Sequence, residues 1–100
     1  MIDLNVLQKR VLLNKQKKGF PTHKIDLDVS FIKKELEELL AADTDLNRAD
    51  EIADCMLFLL GIASYYNLDM EYHLLQKMFK IEQRKITKIS DTEFLKEEGK

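Results

Sequence analysis

Apolar residues recur at helical spacing along most of the chain, and few residues interrupt the pattern. Three glycines and one proline are too few for the frequent turns of an all-β fold. The pattern therefore predicts an all-α protein. The predicted helices cover 4–18, a stretch from Asp28 or Ser30 as N-cap to residue 42, 47–66, 70–85, and a short last helix at 91–98 within a tail over about 90–100.

The third predicted helix is apolar on every side in its middle, from Met56 to Ala63. Such a helix must be covered on several sides, and a chain of 100 residues can hardly enclose it. Gly61 lowers helix propensity there, which predicts close approach of another backbone. We expect one domain over residues 1–100, a four- to five-helix bundle whose central helical hairpin is completed by dimerisation.

Four acidic residues fall on the apolar faces of the second and third predicted helices. Glu35 and Glu38, and then Glu51 and Asp54, are spaced i, i+3, which places both carboxylates of a pair on one face. The pairs flank the turn signals of residues 42–47, so an antiparallel hairpin would set Glu38 opposite Glu51 and Glu35 opposite Asp54. Oxygen ligands of this kind suit Mg²⁺ or Mn²⁺. The alternative, two solvated faces with ordinary salt bridges, explains the mirrored pairs less well.

Basic and aromatic residues supply candidates for binding the rest of a phosphorylated ligand. A stripe on the fourth predicted helix could hold phosphate oxygens while a metal holds others; the alternative is a surface stripe whose stems cover apolar neighbours. Phe20 is a candidate for stacking on a base, although a single aromatic residue is more often part of the packing. The stripe consists of His73, Lys77, Lys80 and Arg84.

Composition excludes several classes of function. The formal net charge of -2 gives no basic signal for nucleic acid, and no glycine-rich phosphate loop is present. Cys55, the single cysteine, predicts a buried free thiol in a reducing compartment. The apolar run 56–63 is too short to cross a bilayer, and no apolar leader begins the chain. We expect a cytoplasmic protein with no membrane partner.

Two stretches carry a resemblance to a known family. Lys34–Ala42 (KELEELLAA) and Glu51–Leu60 (EIADCMLFLL) resemble the MazG-like, all-α nucleoside triphosphate pyrophosphohydrolase superfamily, whose pattern is E-x-x-E, a gap, then E-x-x-D. Residues 77–84 are similar to its K-x-x-x-N-x-x-R stretch, and residues 17–20 resemble a common entry to the second helix. The likeness covers roughly residues 15–86. Two departures stand out: Lys34 replaces a frequent acid, and Ile81 replaces the usual asparagine.

The resemblance implies a helical homodimer, or a dimer of dimers, that binds a nucleoside triphosphate. It implies hydrolysis of (d)NTP between the α and β phosphates to a monophosphate and pyrophosphate, a reaction suited to nucleotide-pool house-cleaning. The alternatives are phosphoribosyl-ATP pyrophosphohydrolase and a non-catalytic helical dimer that binds a nucleotide or a protein. Glu38 is open to a role as general base instead of ligand. The residues matching the metal and catalytic positions are Glu35, Glu38, Glu51 and Asp54, and those on the phosphate side are Lys77 and Arg84, with Lys80 beside them.

Overall fold

The computed structural model describes residues 2–88 and 94–97. The chain divides into two compact units, Met1–Met70 and Glu71–Lys100. The four main predicted helices are present, and the described part of the first unit contains three of them with no strand. The elements are α1 (Leu4–Lys17), α2 (Ile25–Ala41), α3 (Asp45–Tyr65), α4 (Met70–Gln83), β1 (Lys85–Lys88) and β2 (Phe94–Glu97).

Local capping fixes both ends of α1 where the sequence predicted them. The Asp3 side chain accepts hydrogen bonds from the backbone N–H groups of Asn5 and Val6, at 3.0 and 3.2 Å. Gly19 follows the helix with φ +74, a left-handed conformation that favours glycine. The Phe20 N–H then donates to the Lys15 carbonyl at 2.9 Å, which closes the last turn.

The start of α2 differs from the prediction, because neither Asp28 nor Ser30 is its N-cap. The helix begins at Ile25, with Lys24 in the cap position and no side-chain cap bond. Asp28 is buried inside the helix instead, and Ser30 donates to the Leu27 carbonyl at 2.6 Å. Both residue types are common as N-caps. Here, however, the Asp28 side chain binds Lys15 and Tyr65 on other helices, and the Ser30 hydroxyl binds a backbone carbonyl of its own helix.

Helices α2 and α3 form the predicted antiparallel hairpin. Thr44 caps α3 by accepting from the Asn47 N–H at 3.1 Å, so this helix begins two residues before its predicted start. Contacts between the helices pair early positions of α2 with late positions of α3: Asp28 with Tyr65, and the Phe31 ring with the Phe58 ring at 5.8 Å. This order of contacts is that of an antiparallel pair joined by a short turn.

Helix α1 packs on α3 at two levels. Gln8 donates through Nε2 to the Leu68 carbonyl at 2.7 Å, just beyond the end of α3. Further along, a Cβ on Gly61 would lie 3.3 Å from Cγ1 of Val11. The close approach predicted at Gly61 is therefore made, but by a side chain of α1 and not by another backbone.

The core of the first unit is small and leaves the apolar middle of α3 partly uncovered. Met56 and Leu59 are each 56% exposed. None of the described helices is both long enough and apolar enough to cross a membrane. The buried apolar residues are Ile32, Cys55, Leu60, Ala63 and Tyr65.

The second unit corrects the prediction for the end of the chain. A short helix was expected at 91–98, but Phe94–Glu97 is a strand that pairs antiparallel with β1, with Lys85 opposite Glu97 and Lys88 opposite Phe94. Strand propensity explains the difference, since β1 contains two adjacent β-branched residues and β2 begins with an aromatic one. Residues 89–93 and 98–100, which include the predicted capping box of Ser90 and Glu93, lie outside the described residues.

Candidate metal centre and adjoining cavity

Three acidic side chains converge between α2 and α3. Carboxylate oxygens of Glu35, Glu38 and Glu51 all lie within 4.8 Å of one another. The i, i+3 spacing puts the first two on one face of α2, and the hairpin brings Glu51 across from both. The structure therefore gathers three of the four predicted acids into one volume.

Asp54 joins this cluster through Glu51. Oxygens of Asp50, Glu51 and Asp54 form a second group, again within 4.8 Å of one another. Glu51 belongs to both groups, so the predicted acids form a connected pair of subsites. The sequence analysis missed Asp50, although its i, i+4 spacing to Asp54 on α3 could have indicated it.

Two oxygens of the cluster are buried without a donor. Oε2 of Glu35 and Oε2 of Glu51 are shielded from solvent and have no hydrogen-bond partner within the described part of the chain. Glu38, in contrast, is exposed. Leaving a buried acceptor unsatisfied destabilises a protein by roughly 1–3 kcal/mol, so these atoms call for a proton or a cation.

The pKa of Glu51 also indicates that the cluster binds a proton or a cation. The pKa of Glu51 is raised from 4.5 to about 8 by a hydrogen bond with Glu35, by burial and by a hydrogen bond with Glu38. At neutral pH the metal-free cluster therefore retains a proton, which supplies the missing donor. A divalent cation can take the place of this proton, and its binding would release it.

The donor set fits a hard cation. Every ligand atom in the two groups is a carboxylate oxygen, which suits Mg²⁺ or Mn²⁺.

Lys34, which stands where the resembling family often has an acid, lies on the outer side of α2. Its side chain is exposed, as is that of Glu37. The cluster's own acids are unaffected by it.

Cys55 lies beside these acids but has no nucleophilic character. The residue is buried and its thiol is free, as predicted. Burial raises the pKa of the thiol, and the negative charges of Glu35, Glu51 and Asp54 raise it further. The thiolate is disfavoured, and the side chain acts as a small apolar group.

A cavity of about 410 Å³ extends from Asp54 into the space between the three helices of the first unit. Its walls are mainly apolar, and Phe20 lines it, so this predicted stacking residue stands at the cavity with 57% of its surface exposed. The lining residues are Val11, Asn14, Lys15, Phe20, Pro21, Leu27, Asp28, Phe31, Asp54, Leu57 and Phe58.

A buried polar triad forms part of the cavity wall, and sequence reasoning missed it. Lys15 Nζ donates to Oδ1 of Asp28 at 2.7 Å and to the Tyr65 hydroxyl at 2.5 Å, while that hydroxyl donates to Oδ2 of Asp28 at 2.6 Å. Burial alone would lower the pKa of Lys15, but the bonds to Asp28 and Tyr65 outweigh it and raise the pKa. The available signal was that Lys15 continues the i, i+4 spacing of Leu7 and Val11 on the inner face of α1.

The predicted phosphate-side residues lie in the second unit. Lys77 and Lys80 are exposed on α4, and Arg84 follows the helix and is half-buried. His73 is exposed on the same helix, with its ring against Tyr72 at 5.3 Å. Their role toward phosphate stays a prediction.

No family model matches this chain, and no curated protein and no solved structure matches it either.

Proposed function

We propose that this protein is a Mg²⁺-dependent hydrolase that cleaves nucleoside triphosphates between the α and β phosphates. The observation that carries the proposal is the cluster of Glu35, Glu38 and Glu51, whose oxygens lie within 4.8 Å of one another and include two buried acceptors without a donor. The resemblance of the surrounding motifs to MazG-like pyrophosphohydrolases supports the choice of reaction. The products are a nucleoside monophosphate and pyrophosphate.

The acids have separable roles in this proposal. Glu35, Glu51 and Asp54, which are the less exposed acids of the two groups, would hold the cation. When bound, Mg²⁺ neutralises charge on phosphate oxygens and acidifies water. Glu38 is the exposed member of its group, so it is our candidate for the general base that accepts a proton from the attacking water.

The remainder of the substrate needs a cation-rich surface and an apolar pocket. The family resemblance alone supports a role of Lys77, Lys80 and Arg84 in binding the β and γ phosphates by charge-assisted hydrogen bonds. Ile81 lacks the polar contact that the family's asparagine provides. The cavity of about 410 Å³ beside Asp54 has the size of a small-ligand site and is proposed to receive the nucleoside, with Phe20 stacking on the base.

We also propose that the protein acts as a homodimer in the cytoplasm. The exposed Met56 and Leu59 on α3 provide an apolar surface that a second copy would cover. A tetramer is the larger form of the same assembly. The free buried thiol of Cys55 is consistent with a reducing compartment.

Pyrophosphate release from a panel of canonical, deoxy and modified triphosphates tests the reaction, with Mg²⁺, Mn²⁺ or a chelator. Glu38→Gln should reduce kcat about a hundredfold or more, because a carboxamide cannot accept the proton. Glu37→Gln is the matched control, since Glu37 is the exposed neighbour on the outer face of α2 and should keep full activity. Far-UV circular dichroism of both variants confirms the fold.

Full activity of Glu38→Gln would contradict the role of the cluster. If isothermal titration shows that the cation binds and no triphosphate releases pyrophosphate, the hydrolase proposal for ordinary triphosphates is wrong. Phosphoribosyl-ATP would then be the next substrate, and a nucleotide-binding dimer the remaining alternative.

A further inference from the structure

Among the described residues, the ammonium of Lys15 uses two of its three hydrogen-bond donors. A protonated lysine has three N–H groups, and two of them are used by Oδ1 of Asp28 and the hydroxyl of Tyr65. The side chain is only 12% exposed. The group is therefore held rigidly, carries a positive charge and is largely removed from water.

Lys15 also belongs to the wall of the cavity. Lys15 lines the cavity that reaches Asp54, and its Nζ lies 6.0 Å from the centroid of the Phe58 ring in the same wall. Most of the other lining residues are aromatic or aliphatic, such as Phe20, Phe31 and Leu57. The polar ones are Asn14, Asp28 and Asp54. A fitting ligand has flat apolar faces and a hydrogen-bond acceptor on its edge.

Asp28 does not offset the donor character of this wall. Its Oδ1 accepts from Lys15 and its Oδ2 from Tyr65, so both carboxylate oxygens already have a partner. The residue is 3% exposed. The triad thus presents the cavity with the donor of Lys15 more readily than with an acceptor.

We propose that Lys15 sets the base preference of this protein by donating its third N–H to the exocyclic carbonyl of a nucleobase in the cavity. Uracil and thymine carry this carbonyl at C4, and hypoxanthine and guanine carry it at C6. Cytosine and adenine carry an amino group at the same atoms, which is itself a donor. The inference rests on the proposed function for the identity of the ligand as a nucleotide. It adds the class of base and the residue that selects it.

The energetics favour a clear discrimination. A hydrogen bond to a charged group contributes enough to change an affinity by about tenfold to a hundredfold. An amino base would leave the third N–H of the ammonium without an acceptor and place two donors against each other. A site built around a hydrogen bond rejects analogues that cannot make it more strongly than an apolar site rejects a similar shape.

Two matched pairs of nucleotides test the proposal: inosine against adenosine triphosphate, and uridine against cytidine triphosphate. Dissociation constants are measured by isothermal titration with Ca²⁺ to limit turnover, and kcat/KM is then measured with Mg²⁺. We expect the keto member of each pair to bind at least about tenfold more tightly. Lys15→Met, which keeps an unbranched side chain one atom shorter and removes the charge, should reduce the difference to less than about twofold.

Tyr65→Phe is the matched control, because it removes a partner of Lys15 and retains the ammonium and the cavity wall. The base preference should persist in this variant, and circular dichroism and thermal melting establish that both variants are folded. If Lys15→Met does not fold, the comparison within the wild-type protein decides. Equal binding of the two members, or tighter binding of the amino member, overturns the proposal.

The outcomes separate this inference from the proposed hydrolysis. Turnover without base preference, or a preference that persists in folded Lys15→Met, would leave the hydrolase in place and overturn the role of Lys15. Tighter binding of keto nucleotides that is lost in Lys15→Met, without turnover, would support the role of Lys15 and contradict the hydrolase.

Discussion

Glu51 is the residue that connects the parts of the candidate site. It shares one group with Glu35 and Glu38 and another with Asp50 and Asp54. Its raised pKa follows from this central position, because its partners are all acids. A cation bound here would therefore compete with a proton on Glu51.

The metal-free protein should lose stability as the pH rises through this window. Glu51 has a pKa of about 8 in the folded cluster and 4.5 as its ordinary value, so between these values the folded state holds a proton that the unfolded chain releases. The free energy of unfolding then decreases with increasing pH. Urea denaturation in a chelator, at several pH values across the window, measures the slope.

Glu51→Gln should flatten this dependence, because it removes the titrating group, and Glu37→Gln should leave it unchanged. Saturating Mg²⁺ should also reduce the slope in the wild-type protein, since the cation takes the place of the proton. An identical slope in Glu51→Gln and wild type would show that another group is responsible.

At the scale of single residues, the sequence predicted the faces that carry Glu35 and Lys34, but it wrongly placed the exposed Glu38 inward and did not predict the protonation of Glu51. Helical spacing was sufficient to place Glu35 inward and Lys34 outward, because it depends on the local geometry of one helix. The shared proton depends on distances across the hairpin, between Glu51 of α3 and the two acids of α2. The same holds for the Lys15 triad, whose three members come from three helices.

The Lys15 triad is the main polar tie between elements, since it joins α1, α2 and α3. The ion pair of Lys15 and Asp28 has side chains that are 12% and 4% exposed. The pair of Arg48 and Asp45, within α3, has side chains that are 47% and 100% exposed at the same 2.7 Å separation. The two pairs differ in burial and not in length.

Breaking the two pairs should therefore have unequal effects on stability. Asp28→Ala leaves a buried ammonium without its counter-charge and should lower the free energy of unfolding by about 3–5 kcal/mol. Arg48→Ala removes an exposed partner and should lower it by less than about 1 kcal/mol. Urea denaturation followed by circular dichroism measures the free energy of unfolding of both variants. Equal losses would show that burial does not determine the contribution of these ion pairs.

At the scale of elements, periodicity located the four main helices and failed at a helix start and at the chain end. The start of α2 was misplaced because Asp28 and Ser30 resemble caps, while their actual partners are not readable from local sequence. At 94–97 the expected helix is a strand whose partner is β1. The pairing of two short strands depends on residues that are apart in the sequence, so helical periodicity along one segment does not predict it.

At the scale of the whole molecule, several large apolar side chains of the first unit are exposed to solvent. Leu40 and Leu46 are 88% and 81% exposed near the turn of the hairpin, and Leu59 is 56% exposed on α3. Large exposed apolar patches mark interaction sites in soluble proteins. The apolar run in the sequence already predicted an incomplete core.

The proposed dimer should be visible by analytical ultracentrifugation at micromolar concentration. Leu59→Glu places a charge on the exposed side of α3 and should shift the protein toward monomer, because burying that carboxylate would be costly. Leu13→Glu, at an exposed leucine of α1, is the control and should leave the assembly unchanged. A wild-type protein that is monomeric throughout would contradict the proposal.

The acidic cluster lies entirely within one short stretch of chain. Its members fall between positions 35 and 54, on two helices joined by the turn at 42–44. Contacts that are near in sequence form early in folding, because little loop entropy opposes them. We therefore expect the carboxylates to meet while the rest of the first unit is still assembling. Their mutual repulsion then opposes the folding reaction itself, and a divalent cation would act on the rate at which the chain reaches its native state.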